Sequence, residues 1–123
     1  DRGIARCVSA DSGDLVYQSR LEGFSSSRGG GSGGQGGPDG GRGGFFGRGG
    51  GPAVYASPTC ADGKIYLVSR ENGVYVLSAG PQFEQLAHNV IENDDSIFNA
   101  SLVVSRGQLL LRSDKYLYCI GVK

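Results

Sequence analysis

The stretch ASPTCADGKIYLVS, Ala56 to Ser69, returns 44 positions later as ASLVVSRGQLLLRS, Ala100 to Ser113. Ala56-Ser57 falls on Ala100-Ser101, Gly63 on Gly107, Ile65-Tyr66-Leu67 on Leu109-Leu110-Leu111, and Ser69 on Ser113. Past one deletion the shift becomes 43, and Tyr75-Val76-Leu77 falls on Tyr118-Cys119-Ile120. An earlier segment joins the series, because Cys7-Val8-Ser9-Ala10 aligns with Val76-Leu77-Ser78-Ala79 at a shift of 69. The excess over 44 is 25 residues, which is the length of the tract from Arg28 to Pro52. That tract therefore reads as an insertion between repeats. Self-similarity at such a period marks an array of supersecondary units rather than one irregular fold.

Inside the repeat, β-branched and aromatic runs alternate with turn residues, an all-β signature. Val54 to Cys60 leads into Asp62-Gly63, and Lys64 to Val68 leads into Asn72-Gly73. Both dipeptides favour the positive φ of tight hairpin turns. Val74 to Leu77 follows, then Phe83 to Ile91 as a looser strand, so four consecutive strands predict an antiparallel meander. No segment keeps a helical apolar period for three turns, and no helix is expected.

A four-stranded repeat of about 40–45 residues is the unit of a β-propeller, in which each blade buries its faces on its neighbours. The predicted division is two last strands of a blade in 1–21, a Gly-rich insertion in 22–52, a complete blade in 53–92 and three strands of a terminal blade in 93–123. That is about two and a quarter blades, whereas a closed ring needs at least about four. Bare apolar faces forfeit ~25 cal/mol per Å² against a folding margin of only ~5–15 kcal/mol. The expectation is an incomplete propeller whose faces are covered by other copies or by further blades of a parent protein.

The chain has 123 residues, 23 of them Gly, with twelve Lys plus Arg balanced by twelve Asp plus Glu. Zero net charge removes the broad attraction of a nucleic-acid or anionic-membrane binder. No apolar run approaches the roughly 18 residues of a spanning helix, so no membrane insertion is expected. The opening DRGIARCVSA lacks Met and the basic-then-apolar order of an export signal, which suggests a processed product.

Ser9-Ala10-Asp11-Ser12-Gly13-Asp14-Leu15-Val16-Tyr17 resembles the blade signature of the pyrroloquinoline-quinone-like (PQQ-like) propeller repeat, Asp-Ala-x-Thr-Gly-x-x-x-Trp, with Ser9 for the Asp and Tyr17 for the Trp. Ala56-Ser57-Pro58 with Ala61-Asp62-Gly63-Lys64-Ile65-Tyr66 is similar to the family's outer-blade hairpin, and Lys115-Tyr116-Leu117-Tyr118-Cys119-Ile120-Gly121 to its closing strand. The resemblance covers everything outside the glycine tract and looks like the carboxyl-terminal blades of a larger bacterial propeller of the planctomycete type. It implies a last blade closed by a strand from the amino end of the ring, a strand that must here come from elsewhere. It also implies an extracellular, periplasmic or cell-envelope location.

The resemblance carries fold further than function, because one fold hosts many roles. Quinoproteins of similar repeat stack their cofactor between a Trp floor and adjacent bridged cysteines, with calcium on carboxylates. This sequence has no Trp and no adjacent Cys pair, so no cofactor is expected. Glu92-Asn93-Asp94-Asp95 is an acidic quartet that offers four side chains, fewer than the six to eight oxygens of a calcium site, and reads as a solvated turn between blades. His88 is the sole histidine and reads as an exposed outer-strand residue; no G-x-S-x-G or H-E-x-x-H string occurs. Gly31-Ser32-Gly33-Gly34-Gln35-Gly36 matches G-x-G-x-x-G only by composition.

Arg28, Arg42 and Arg48 sit among the glycines like the arginine-glycine-glycine boxes of RNA-binding proteins, but with Asp39 the tract carries too little charge for strong phosphate affinity. The tract is expected to lie against neighbouring subunits, with Phe45 and Phe46 as apolar anchors. Cys7, Cys60 and Cys119 show no C-x-x-C spacing; they read first as small buried residues, and one disulfide of unknown pairing is the alternative. The sequence thus predicts a non-catalytic structural or scaffold segment, not an enzyme, that assembles into an oligomer or filament. Its expected contacts are Arg42, Phe45, Phe46, Arg48, Tyr116 and Tyr118, with the edge strands Ile4 to Val8 and Tyr116 to Ile120. The alternatives are a fragment of a PQQ-dependent oxidoreductase and an envelope adaptor resembling the propeller lipoprotein of outer-membrane barrel assembly.

Overall fold

The structure, a computed structural model, describes residues 3–24 and 54–122. The described residues hold nine strands and no helix, arranged as three antiparallel sheets. β1 (Ile4–Val8) and β2 (Leu15–Arg20) form the first sheet. β3 (Thr59–Ala61), β4 (Lys64–Ser69), β5 (Gly73–Ser78) and β6 (Gln85–Asn89) form the second in sequential order. β7 (Val103–Ser105), β8 (Gln108–Arg112) and β9 (Leu117–Ile120) form the third. The chain is all-β, as its periodicity predicts.

The repeat read from the sequence is reproduced in hydrogen-bond register. Thr59 opposes Tyr66 and Cys60 opposes Ile65, as Val103 opposes Leu110 and Val104 opposes Leu109. Leu67 opposes Tyr75, as Leu111 opposes Tyr118. The turns match too: Asp62 and Gly63 have φ of 50° and 66°, Arg106 and Gly107 of 49° and 76°. The first sheet corresponds to the last two strands of the second, and the two share a bulge. Pairing slips between Cys7 and Val8 against β2, and between Val76 and Leu77 against β6, at positions the sequence alignment had matched.

Two local expectations differ. The run from Val54 condenses to a three-residue β3 that starts only at Thr59, because Pro58 has no N–H to give a ladder. The Asn72-Gly73 turn is not a two-residue hairpin. Ser69 pairs with Gly73 across Arg70, Glu71 and Asn72, Gly73 alone has positive φ (78°), and the Asn72 N–H donates to Ser69 Oγ. A three-residue loop closed by a left-handed glycine is the next commonest hairpin connection.

Strand alternation gives the second sheet two apolar faces, and both are covered. Ile65, Leu67, Tyr75 and Leu77 share a cluster with Ala5, Leu21, Phe24 and Phe83, on the side of the first sheet. Tyr66, Val68 and Val74 share another with Phe98, Leu102, Leu109, Leu111 and Tyr118, on the side of the third. Val68 and Tyr75 are fully buried and Leu111 is 1 % exposed, so the core lies in the two junctions between sheets. Specific bonds pin each junction. Gln85 brackets the chain beyond β2, its Oε1 accepting from Glu22 N at 2.9 Å and its Nε2 donating to Glu22 O at 3.2 Å. On the other side Ser57 N donates to Ser101 Oγ at 2.9 Å, and Thr59 Oγ1 to Leu102 O at 2.6 Å.

Candidate functional site

The expected contact residues Arg42, Phe45, Phe46 and Arg48 lie outside the described residues, as does the rest of the glycine tract from Arg28 to Pro52. The described candidate surface consists of the two terminal sheet faces and the polar linker beside one of them.

On β8 and β9, Leu109, Leu111 and Tyr118 point toward the second sheet. Their neighbours in the strands therefore point away from it. Leu110 opposes Val103 on one side and Cys119 on the other, so Val103, Leu110 and Cys119 form one row across three strands. Leu117, opposite Arg112, extends that face. Leu117 is 70 % exposed and Val103 52 %. The first sheet repeats the pattern. Ala5 packs inward, while Ile4, Arg6 and Val8 alternate outward and pair with Arg20, Gln18 and Leu15. Val8 is 57 % and Leu15 59 % exposed. Two open sheet faces thus lie at opposite ends of the stack, that of the third mostly apolar and that of the first mixing Ile4, Val8 and Leu15 with Arg6, Gln18 and Arg20, and burying their apolar surface is favourable.

The two tyrosines expected to make contacts take different roles. Tyr116 is exposed (56 %). Tyr118 turns into the junction, its ring 6.4 Å from that of Phe98 and its hydroxyl donating to Asp94 Oδ2 at 2.6 Å. Strand alternation dictates this: Tyr118 opposes Leu111, which faces the second sheet.

The acidic quartet divides as well. Asn93 takes positive φ (65°) and redirects the chain. Asp94 then accepts from Ser96 N at 3.0 Å, from Ser96 Oγ and from Tyr118. The hydroxyls of Ser96 and then Tyr118 hold the Asp94 carboxyl well below the ordinary carboxylate range. Desolvation, then the bond to Asp94, pushes the Tyr118 phenol up to about 12. Asp95 pairs with Lys115 at 2.6 Å, with both side chains largely exposed, and such a pair contributes little to stability. Glu92, Asn93 and Asp95 are exposed, as a solvated turn predicts, while Asp94 ties the linker to the third sheet through Tyr118. Among the described residues no three His, Cys, Asp or Glu side chains gather to hold a metal.

His88 is exposed on β6, as its sequence position predicts, but it also roofs the core. Its ring stacks on Tyr75 at 4.2 Å and 5° between planes, and its Nε2 meets the Asn72 carbonyl. A side chain on Gly23 would meet His88 Nδ1 at 2.8 Å. The cysteines depart from the buried reading. Cys60 and Cys119 are exposed, Cys7 is half-buried, and none is bridged. Cys60 lies on a short edge strand, and Cys119 on the outer face of the third sheet, which no described residue covers.

Tyr75 escaped sequence reading. It holds the position of Tyr118 in the preceding repeat and is wholly buried, yet its hydroxyl has no hydrogen-bond partner. Burial pushes its phenol up. Comparison with protein-family models, curated proteins and solved structures gives no match.

Proposed function

We propose that this chain is a non-catalytic structural segment of a PQQ-like β-propeller, three successive blades or parts of blades, that completes its fold by association with other chains. The single observation that supports the reading is the recurrence of register and face from sheet to sheet. The second and third sheets share their pairing and turn geometry, and the first and second share a bulge. The second and third sheets turn equivalent faces toward the sheet before them, as stacked propeller blades do. The outermost faces then carry Leu117 and Val8 into solvent, and association removes that surface from water.

Analytical ultracentrifugation of the purified chain, with and without a thiol reductant, tests this reading. Concentration-dependent assembly in both conditions is expected, because no disulfide is needed to cover the faces. A monodisperse monomer at all concentrations overturns it.

A further inference from the structure

Resting on that reading, we infer that association is head to tail: the outer face of the third sheet receives the outer face of the first sheet of a second copy.

The molecule already makes this joint twice. In the second sheet, Tyr66, Val68 and Val74 face the third sheet. Pairing register makes Leu110, Leu117 and Arg112 the equivalents of Tyr66, Val74 and Val68, so the outward side of the third sheet is a receiving face of the same kind, left open, with an arginine in place of the fully buried Val68. In the second sheet, Tyr75 and Leu77 face the first. The shared bulge makes Arg6 and Val8 their equivalents in the first sheet, so its outward side holds the station of the inserting face, also open, with an exposed arginine where the joint has the buried Tyr75. A second copy continues the existing stack with the junction type seen between the sheets of one chain. A self-paired joint of third sheet on third sheet has no counterpart in the molecule. Heterologous joints of this kind extend unless rotation closes them.

The charges on the two faces add a signature. Arg6 and Arg20 project from the first sheet beside Ile4, and Arg112 projects from the third beside Leu117. Like charges repel across the joint, and raising salt from about 0.01 M to 1 M shortens the screening length from ~30 Å to ~3 Å. Assembly through these faces tightens with salt.

Two variants test the polarity. Leu110→Arg with Leu117→Arg blocks the third-sheet face, and Val8→Arg with Leu15→Arg blocks the first. Each alone is expected to sediment as a monomer at concentrations about tenfold above the wild-type midpoint. A 1:1 mixture is expected to form a heterodimer, because each variant keeps the face the other lacks. Circular dichroism confirms that the strands persist. Where a double variant loses its β signal, the single substitutions Leu117→Lys and Leu15→Lys, each at the more exposed of its two positions, give the same readout. A wild type that assembles while one variant still self-associates and the mixture gains nothing overturns head-to-tail polarity, and leaves assembly itself standing. A wild-type chain that stays monomeric overturns both.

Discussion

Tyr75→Phe is expected to stabilise the protein, although it deletes a polar atom from the most buried aromatic side chain among the described residues. The hydroxyl is sealed from water and bonds to nothing. A buried polar group without a partner costs about 1–3 kcal/mol relative to one that is satisfied or removed. Phe keeps the ring, so the stacking on His88 at 4.2 Å and the contact with Phe24 at 5.8 Å persist. For a body of this size each kcal/mol moves the midpoint by roughly 4–8 °C, so a rise of several degrees is expected. Tyr118→Phe is the internal control. It occupies the equivalent register, but its hydroxyl serves Asp94, and its removal lowers the midpoint by leaving a carboxylate oxygen short of a donor. Thermal melts and urea titrations of both variants, at one protein concentration, check the pair. A Tyr75→Phe variant that melts several degrees below wild type, with an unchanged urea m-value, refutes the reasoning, since it means the hydroxyl makes a bond the fold relies on.

Leu111→Ala is expected to cost about 2–5 kcal/mol of folding stability, because Leu111 fills the junction between the second and third sheets. Leu117→Ala, at an exposed position, should stay within about 0.5 kcal/mol of wild type; urea titration separates them. Gly73→Ala should unfold far more readily than Gly63→Ala. Both glycines have positive φ, but a Cβ on Gly73 would lie 2.2 Å from the Asn89 carbonyl oxygen while one on Gly63 meets nothing within 4 Å. The Asp94–Tyr118 joint gives stability a window in pH. Asp94 has a lowered folded-state pKa, so its contribution is present above the ordinary carboxylate value of ~3.9 and fades as pH falls further. Tyr118 has a raised one, so its contribution is complete below its ordinary value of ~10 and disappears as pH rises through about 12. Melts of Tyr118→Phe should show a flatter alkaline limb than wild type.

What the sequence made legible is whatever chemistry repeats locally. Asp62-Gly63 announces its tight turn, and the 44-residue shift carries that turn onto Arg106-Gly107, where Arg alone would not suggest positive φ. Apolar runs between turn residues located β4 and β5 near their observed limits, and the 44- and 43-residue shifts carried them onto β8 and β9. Neither could say which neighbour a strand face would meet, so Tyr118 read as a contact residue although it closes an internal joint. Asp94 was equally opaque, because its donors come from Ser96 and, 24 residues away, Tyr118. Burial of the cysteines was misjudged for a related reason: a residue type favours interiors only where a neighbouring layer exists, and Cys119 faces outward from the third sheet. The unpartnered Tyr75 hydroxyl has no sequence signal beyond its alignment with Tyr118.

The bulge shared by the first and second sheets sets more than a local irregularity. An extra residue on one strand sharpens the right-handed coil of the pair it interrupts, and here Val16 and Leu86 are those residues, at the same station of the first and second sheets. The local coil of each of these two hairpins is therefore set by one inserted residue, as a wedge stone turns an arch, and deleting Leu86 alone is expected to relax that coil between β5 and β6.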